Sequence, residues 1–345
     1  MSRCARSIGC AGFAALLILT AVCPAAAGTI KRSVLDLLGT TCEITLYAGG
    51  SASAIDAAFS RISEIDTAMT ISKPGSEVDR VNSAAGRHPV KVAPDVYLVI
   101  KRGLEFSALG NGAFDITVAP LVRLWGIGTP QARVPRPDEI REALALVGHN
   151  YVRLQDAART VLLEKPGMGI DLGSIAKGYA ADEAARVLAE RGVTGALINL
   201  GGNILVLGKK PDGALWRIGI QNPEEPRGTP LGVVEVAGGS VTTAGTYERY
   251  FDSGGKRYFH ILDARTGYPA WNGLAAVSIV AADSISADGW DTVVFTQGLE
   301  AGRSLVESAR GAIEAVFITE KREIYVTPRL RPKFTLTDSR FTMIR

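Results

Sequence analysis

The spacing of apolar residues along the chain predicts five helices. Over residues 54–69 apolar side chains recur every three or four positions, the period of a helix with one buried face. Similar segments at 94–109 and 137–147 each begin with proline, which is favoured at the first helical position. A fourth helix follows Gly173, carries a face of alanine, valine and leucine, and ends at Gly192. A fifth is predicted around residues 286–298.

Short apolar runs between turn residues predict strands, mostly in the second half of the chain. The first covers residues 42–46, and a loop rich in proline over 129–137 precedes the rest. The run 168–170 is expected to lead as an extended segment into the helix after Gly173. The remaining predicted strands are 153–154, 161–163, 196–200, 204–207, 216–220, 232–236, 278–280, 315–318 and 323–326.

Strands interleaved irregularly with a few helices, without an internal repeat, predict an α+β fold of mixed β-sheets packed with helices. A doubly wound βαβ fold would alternate the two kinds of element more regularly. We expect a single domain over residues 28–345. Within it we expect two closely associated subdomains, roughly 28–150 and 151–345.

The N-terminus has the pattern of a secretory signal peptide. Two arginines precede an apolar run over residues 12–22, and three alanines at 25–27 provide a cleavage site. We therefore predict a signal peptide over residues 1–27 and a mature protein in the periplasm. Lipid attachment at Cys23 is disfavoured, because Val22 and Pro24 on either side of it fit a lipid-attachment site poorly.

Cysteine content and charge narrow the class of protein further. Three of the four cysteines lie in the predicted signal peptide, so the mature chain keeps Cys42 alone and has no internal disulfide. The 38 Lys and Arg nearly balance the 35 Asp and Glu, which does not indicate a nucleic-acid-binding surface. No later apolar run is long enough to span a membrane.

The stretch DLGSIAKGYAAD, residues 171–182, places a lysine in the first turn of a predicted helix. The N-terminus of a helix carries a partial positive charge, so Lys177 requires a negative group nearby. One interpretation is a tight turn with an exposed lysine. The other is an anion site in which backbone N–H groups and Lys177 hold a phosphate, while Asp171 accepts a hydrogen bond from a sugar or ring.

Residues 111–126 contain a second unusual stretch. Phe114 and Trp125 fit a hydrophobic core, which is the common fate of aromatic residues. Asp115, however, lies between apolar neighbours, and an unpaired buried carboxylate is costly. A flat aromatic ligand with ring N–H and carbonyl groups would give Asp115 a partner. The glycine pair in residues 199–203 predicts only a tight turn or bulge.

Two groups in the C-terminal half combine residues that can carry chemistry. His260 and Asp263 stand near a strand end, where the histidine is either a structural residue or a general base. Asp288, Asp291 and Thr292 have the spacing of one helix face. Their oxygens suit Mg²⁺, although Asp288 as a helix-terminal acid and Thr292 as a spacer explain the pattern equally well.

Seven motifs, in this order, resemble those of the ApbE family, the FAD:protein FMN transferases, over nearly all of the mature chain. The resemblance implies a site for FAD in a cleft between the subdomains. It also implies cleavage of FAD at its pyrophosphate, transfer of FMN to a Ser or Thr hydroxyl of an acceptor flavoprotein, and release of AMP. The motifs are GAFDITVAPLVRLWG, DLGSIAKGYAAD, INLGGNI, WRIGIQNP, TTAGTYERYF, HILDARTGYP and ADGWDTVVFTQG.

The resemblance assigns roles by position. His260 corresponds to the base for the acceptor hydroxyl, with Asp263 the weaker candidate, and Lys177 neutralises the diphosphate. The implied Mg²⁺ ligands are Ser174 through its main-chain carbonyl, Asp288, Asp291 and Thr292. The implied FAD contacts are Leu38, Ser72, Ala113, Phe114, Asp115, Asp171, Lys177 and Ile261.

Several positions depart from the usual family pattern. Leu38 replaces a common Met, Ser174 a frequent Gly, and Ala264 a frequent Pro. Ser72 stands where an aromatic residue often stacks on the flavin, so that stacking partner is missing. Asp291 replaces a frequent Ala and adds a negative charge beside the implied metal.

Two other functions remain open at the level of sequence. Water in place of the acceptor hydroxyl would make the protein a Mg²⁺-dependent FAD pyrophosphatase that gives FMN and AMP. If it catalysed no reaction, it would be a periplasmic flavin-binding protein. The presence of Asp288, Thr292 and His260 favours an enzyme. The candidate acceptors, by family analogy, are subunits of ion-pumping oxidoreductases or a membrane flavoprotein that serves nitrous oxide respiration.

Overall fold

A computed structural model describes residues 29–345 of the chain. The predicted signal peptide, residues 1–27, and Cys23 lie outside the described residues. Within the described range, no helix combines the length and apolar character needed to cross a membrane. Cys42 is a buried free thiol, and burial raises its pKa to about 12, which disfavours the reactive thiolate.

The described chain contains nineteen strands. These strands are β1 (Ile30–Leu37), β2 (Thr40–Gly49), β3 (Val90–Lys91), β4 (Val152–Gln155), β5 (Thr160–Leu163), β6 (Val193–Leu200), β7 (Asn203–Gly208), β8 (Trp216–Gln221), β9 (Pro230–Val236), β10 (Gly239–Gly245), β11 (Tyr250–Ser253), β12 (Lys256–Phe259), β13 (Leu262–Asp263), β14 (Tyr268–Pro269), β15 (Leu274–Ala281), β16 (Ile313–Thr319), β17 (Glu323–Val326), β18 (Phe334–Leu336) and β19 (Thr342–Met343). The strands predicted from the sequence match or overlap β2, β4–β9 and β15–β17.

Seven α-helices accompany these strands within residues 29–345. These helices are α1 (Ala52–Met69), α2 (Glu77–Ser83), α3 (Pro94–Leu109), α4 (Ala119–Trp125), α5 (Pro137–Leu144), α6 (Ala176–Glu190) and α7 (Ser284–Ser308). The five predicted helices are all present, and α2 and α4 are additional.

Nine strands form the central sheet, in the order β1-β2-β6-β7-β10-β15-β16-β17-β19. All neighbouring pairs are antiparallel except β17 and β19, so the α+β prediction with mixed sheets is confirmed. The sheet contains strands from both sides of residue 150. The division into two subdomains near that residue stays a prediction.

Side chains alternate between the two faces of the central sheet, as the strand period requires. Ile198 on β6 packs into the largest core, together with side chains of α1, α3 and α6. Its neighbour Leu197 packs instead against the core that contains Trp216 and Val234, from the small sheet β18-β9-β8. The central sheet is therefore buried between a helical layer and a second sheet.

Two helix ends differ from the prediction, while the run 168–170 is extended and makes one isolated parallel bridge, between Gly169 and Val118. Helix α5 ends at Leu144, three residues before the predicted end. The last helix continues past Gly298 to Ser308, and Gly298 marks a kink with φ of 77°. Glycine adopts this left-handed conformation at little cost, so the chain changes direction there and resumes the helix.

Candidate functional site

Helices α6 and α7 cap each other at the centre of the site. The Asp288 carboxylate on α7 accepts a hydrogen bond from the Gly178 amide of α6, with N to Oδ2 at 2.8 Å. In return, the Asp182 carboxylate on α6 accepts from the Ser284 and Ile285 amides, each at 2.8 Å. Carboxylates at helix N-termini satisfy free N–H groups and favour the helix dipole. This arrangement fixes the stretch 171–182 against α7.

Gly178 allows the two helices to approach this closely. A Cβ atom at this position would lie 2.3 Å from the Ser284 carbonyl oxygen and 2.7 Å from the Asp288 Cβ. Neither distance is compatible with van der Waals contact. Gly178 is therefore required by helix packing, a role that its place in the motif did not reveal.

We expect Gly178→Ala to lower the free energy of unfolding by about 1–3 kcal/mol, the cost of overpacking. The clash is with main chain, so it outweighs the gain of about 1 kcal/mol in helix propensity. Urea denaturation measures the difference. Gly238→Ala is the matched control, because a Cβ there meets open space. Equal stability of the two variants would contradict the packing argument.

Lys177 has its negative partner within the chain. Its Nζ lies 3.4 Å from Asp288 Oδ1 and donates to the Gly173 carbonyl at 3.0 Å. The Asp288 side chain is 3% exposed, whereas that of Lys177 is 27% exposed and still reaches solvent. Asp288 thus balances the positive charge of Lys177, and the exposed part of the lysine side chain can still contact a ligand.

The expected cradle of backbone N–H groups is only partly available. The Gly173 amide donates to Asp171, the Ile175 and Ala176 amides donate to the Leu172 carbonyl, and Gly178 binds Asp288. These four N–H groups therefore cannot serve a phosphate without losing their partners. Lys177 is left as the main donor of this turn.

Asp291 and Thr292 extend the acidic centre along α7. The Asp291 carboxylate is buried and accepts from the Thr292 hydroxyl at 2.9 Å. Burial, and then the nearby charge of Asp288, raise the pKa of Asp291 well above its ordinary value. Next to Asp291, the Thr242 hydroxyl on β10 is buried, and its interaction with the Asp291 carboxylate opposes the rise in that carboxylate's pKa. This centre brings two buried carboxylates, Asp288 and Asp291, close to the single positive charge of Lys177.

Three of the predicted metal ligands lie on one helix. Asp288, Asp291 and Thr292 share one face of α7, as their spacing predicted. Ser174 lies in the turn before α6, next to Gly173, and its main-chain carbonyl stays a predicted ligand. Across residues 29–345, no three His, Cys, Asp or Glu side chains are grouped to hold a metal, so this centre provides two carboxylates.

The loop over residues 110–118 connects the other segments of the site. Gly110 accepts from the Gln297 side chain of α7 at 2.6 Å, and Ala113 accepts from the Ala264 amide at 2.9 Å. Ile116 accepts from the Asp171 amide at 2.8 Å. The GAFD stretch, the DLGS turn and the segment after His260 therefore meet, although the sequence separates them widely.

Asp115 is fully paired within the protein, which corrects our reason for assigning it a ligand. Its Oδ1 accepts from the Thr117 amide at 2.8 Å and from the Thr117 hydroxyl at 2.6 Å. Its Oδ2 accepts from the His149 amide at 2.8 Å and lies 2.9 Å from His149 Nδ1. A flavin is therefore not needed to satisfy this carboxylate. No local pattern pointed to His149 as this partner, because it is 34 residues away along the chain.

His260 follows β12 and stands at the open side of the site. Its amide donates to the Arg249 carbonyl at 3.1 Å, and its Nδ1 lies 3.3 Å from the same oxygen. His260 is exposed at the surface, but other protein groups lie around part of its ring. This partial burial, and then the charges of Arg249 and Lys177, lower the His260 pKa to about 4. The imidazole is therefore neutral at physiological pH, as a general base requires.

Asp263 has a different role from the one considered. Its carboxylate forms a two-point ion pair with Arg265, with distances of 3.0 Å from Nε to Oδ1 and 2.7 Å from Nη2 to Oδ2. The Arg265 amide also donates to Oδ1 at 2.9 Å. Both oxygens of the Asp263 carboxylate are therefore occupied by donors of Arg265. The arrangement stabilises the turn that contacts Ala113 and argues against Asp263 as the catalytic base.

The remaining predicted flavin contacts differ in their exposure to solvent. Ala113, Phe114 and Ile261 are buried, and Phe114 packs in the largest core. Leu38 is half-buried in the β1–β2 turn, with φ of 55°. Ser72 lies exposed in the loop after α1, and its amide donates to the Thr70 hydroxyl at 3.2 Å.

Arg249 is a site residue that sequence reasoning missed. It belongs to the quoted motif TTAGTYERYF, but its type alone did not separate it from other surface arginines. Its charge lowers the pKa of both Asp171 and His260. For Asp171 burial is the larger influence and raises the pKa overall. Arg249 therefore lies near the two groups.

The fold and sequence match known proteins over most of the chain. The family model described as "ApbE family" matches residues 38–317. The chain is 39% identical over 308 residues to a FAD:protein FMN transferase from Klebsiella pneumoniae, covering 89% of this chain and 95% of that protein. It is 33% identical to the protein of that name from Treponema pallidum, covering 90% of each.

Solved structures give the same result. The crystal structure of an ApbE protein from Thermotoga maritima superposes with a TM-score of 0.82 at 30% identity, covering 89% of this chain and 99% of that one. The flavin transferase ApbE from Vibrio cholerae superposes with a TM-score of 0.78 at 27% identity, with the same coverage. Because the family model and the K. pneumoniae relative each cover most of its length, this chain belongs to the ApbE family.

Proposed function

We propose that this protein is a Mg²⁺-dependent FAD:protein FMN transferase. It moves FMN from FAD to a Ser or Thr hydroxyl of an exported or membrane-bound flavoprotein subunit and releases AMP. The observation that carries the proposal is the convergence of Lys177, Asp288 and Asp291, with the neutral base His260 close enough for the Lys177 charge to lower its pKa. The names of the relatives from K. pneumoniae and T. pallidum support the same activity.

The residues present fit a magnesium ion. Mg²⁺ prefers oxygen ligands and is commonly held by one or two carboxylates, with water and substrate phosphate completing the shell. Asp288 and Asp291 are two buried carboxylates whose mutual repulsion a divalent cation would relieve. Asp288, Asp291 and Thr292 would hold the ion, and Ser174 would contribute its carbonyl. When bound, Mg²⁺ neutralises charge on the FAD diphosphate.

The chain's own residues account for the remaining requirements of phosphoryl transfer. The acceptor oxygen forms a new bond to the phosphorus of the FMN half, and the bond from that phosphorus to the bridging oxygen breaks. The bridging oxygen leaves with its electron pair as part of AMP. Lys177 is placed to offset the charge on the diphosphate, and binding holds the reactants in line.

His260 takes the proton of the acceptor hydroxyl in this scheme. Its ring is neutral at physiological pH and open to solvent, so a segment of another protein can reach it. The ion pair of Asp263 with Arg265 leaves His260 as the single candidate base of the two considered.

We also propose that the reaction takes place in the periplasm. The support is the signal-peptide pattern over residues 1–27, because an exported transferase would modify exported acceptors. The modified subunit belongs by family analogy to a respiratory or ion-pumping flavoprotein. The proposed step requires an exposed Ser or Thr hydroxyl on that subunit.

AMP release distinguishes the three functions. We expect purified protein with FAD and Mg²⁺ to release AMP only when an exported flavoprotein subunit is added, together with a flavin-fluorescent acceptor band on a denaturing gel. The matched control replaces the modified Thr or Ser of that subunit by Ala. AMP release without acceptor would indicate a pyrophosphatase. A protein that binds FAD and releases no AMP with any of a panel of such subunits would be a flavin-binding protein.

A further inference from the structure

Arg249 connects the predicted base to the predicted flavin contact. Its main-chain carbonyl accepts the hydrogen bond of the His260 amide. Its side chain extends to the β1–β2 turn, where Nη2 donates to the Gly39 carbonyl at 2.9 Å, directly after Leu38. Arg249 therefore spans the interval between His260 and Leu38.

The guanidinium of Arg249 keeps most of its hydrogen-bonding capacity. Arginine has five N–H donors. The bond to Gly39 is the one hydrogen bond of this guanidinium within residues 29–345, and no carboxylate of that range lies within 4.0 Å of it. Nearby arginines differ, because Arg257 pairs with Asp252 and Arg265 pairs with Asp263. Arg249 is thus a cation held in place without an anionic partner in the described chain.

Two glycines make room for the side chain. A Cβ at Gly39 would lie 2.9 Å from Arg249 Nη2, and a Cβ at Gly128 would lie 3.3 Å from Arg249 Cδ. Both glycines have positive φ, of 65° and 86°. The Arg249 side chain therefore runs between two turns that approach it with bare backbone, and its position is defined although it is exposed.

We propose that Arg249 binds a non-bridging oxygen of the phosphate that is transferred, the one on the FMN side of FAD. The inference rests on the proposed function and adds a residue to its site. If His260 accepts the proton of the attacking hydroxyl, the oxygen of that hydroxyl lies next to His260. The phosphorus that this oxygen attacks must then also lie close to His260. The guanidinium of Arg249, which is bonded to the Gly39 carbonyl and joined to His260 through its own main chain, is then the cation placed towards this phosphate. Guanidinium binds phosphate with several parallel N–H bonds.

The test compares ligands that differ by this phosphate. Riboflavin lacks it, FMN and FAD carry it, and AMP carries only the other one. We expect Arg249→Gln to weaken FMN and FAD binding roughly tenfold to hundredfold, as for loss of a charged hydrogen bond. Riboflavin and AMP binding should not change. Titration calorimetry at constant Mg²⁺ measures each dissociation constant.

Glutamine is chosen because it keeps a polar amide at this position while the positive charge is lost. Arg249→Lys keeps the charge and should retain part of the preference for FMN over riboflavin. Arg257→Gln, in the neighbouring β12, is the matched control and should bind all four ligands as the unmodified protein does. Thermal melting establishes that each variant is folded.

Three results would overturn the proposal. Riboflavin binding that weakens as much as FMN binding would show that Arg249 only supports the β1–β2 turn. Weakened AMP binding with unchanged FMN binding would show that Arg249 contacts the phosphate on the AMP side of FAD. An unmodified protein that binds FMN no better than riboflavin would exclude any contact to this phosphate. By contrast, absence of transfer activity with an intact Arg249-dependent FMN preference would overturn the proposed function alone.

Discussion

Asp288→Asn is expected to abolish Mg²⁺-dependent AMP release, with a loss of at least about 100-fold in kcat, as for removal of a principal electrostatic group. Asn retains an oxygen that can accept from the Gly178 amide, so the contact between α6 and α7 can persist. It lacks the negative charge that pairs with Lys177 and would bind the cation. The measurement is AMP release over a Mg²⁺ titration, with Mn²⁺ binding followed by electron paramagnetic resonance.

Asp182→Asn is the matched control for this variant. Asp182 is a half-buried carboxylate between α6 and α7, and burial raises its pKa to about 6, but it caps the Ser284 and Ile285 amides. We expect this control to lose stability while the Mg²⁺ midpoint stays unchanged. Full activity of Asp288→Asn, or an unchanged Mn²⁺ affinity, would exclude Asp288 as a metal ligand.

Local sequence patterns were sufficient to predict those elements whose own residues mark where they begin and end. Helix α3 was predicted with its observed bounds, because Pro94 marks its start and Gly110 its end. Strand β10 was missed, although it lies in the middle of the central sheet. Its residues, GSVTTAG, are small and do not alternate clearly between apolar and polar. Its strand character comes from pairing with β7 and β15, which no local pattern records.

The same distinction applies to the site. The helical spacing of Asp288, Asp291 and Thr292 is a local property, and the structure places them on one face of α7. The partner of Asp115 was beyond prediction, because His149 lies on a separate segment. Reciprocal capping by Asp182 and Asp288 likewise depends on two helices meeting. Sequence reasoning thus found residues with unusual chemistry and misjudged which of them the protein itself satisfies.

His260→Gln is expected to lower kcat for transfer by about 10²- to 10⁴-fold, the usual contribution of a general base. FAD binding should change little, because the ring is hydrogen-bonded to backbone and open to solvent. His88→Gln, an exposed histidine in another part of the chain, is the control and should remain fully active. Normal activity of His260→Gln would exclude this residue as the base.

The pH profile gives an independent test of the same assignment. Partial burial, Arg249 and Lys177 disfavour the imidazolium and lower the His260 pKa from 6.5 to about 4. We therefore expect kcat/KM to fall on the acid side near pH 4. The unfolded chain binds the proton more tightly, so this residue makes the fold less stable as pH falls from 6.5 towards 4. Arg249→Gln removes one opposing charge and should move the acid limb towards higher pH. An acid limb near 6.5 in the unmodified protein would mean that His260 does not experience these charges, and the proposed arrangement of base and cations would be wrong.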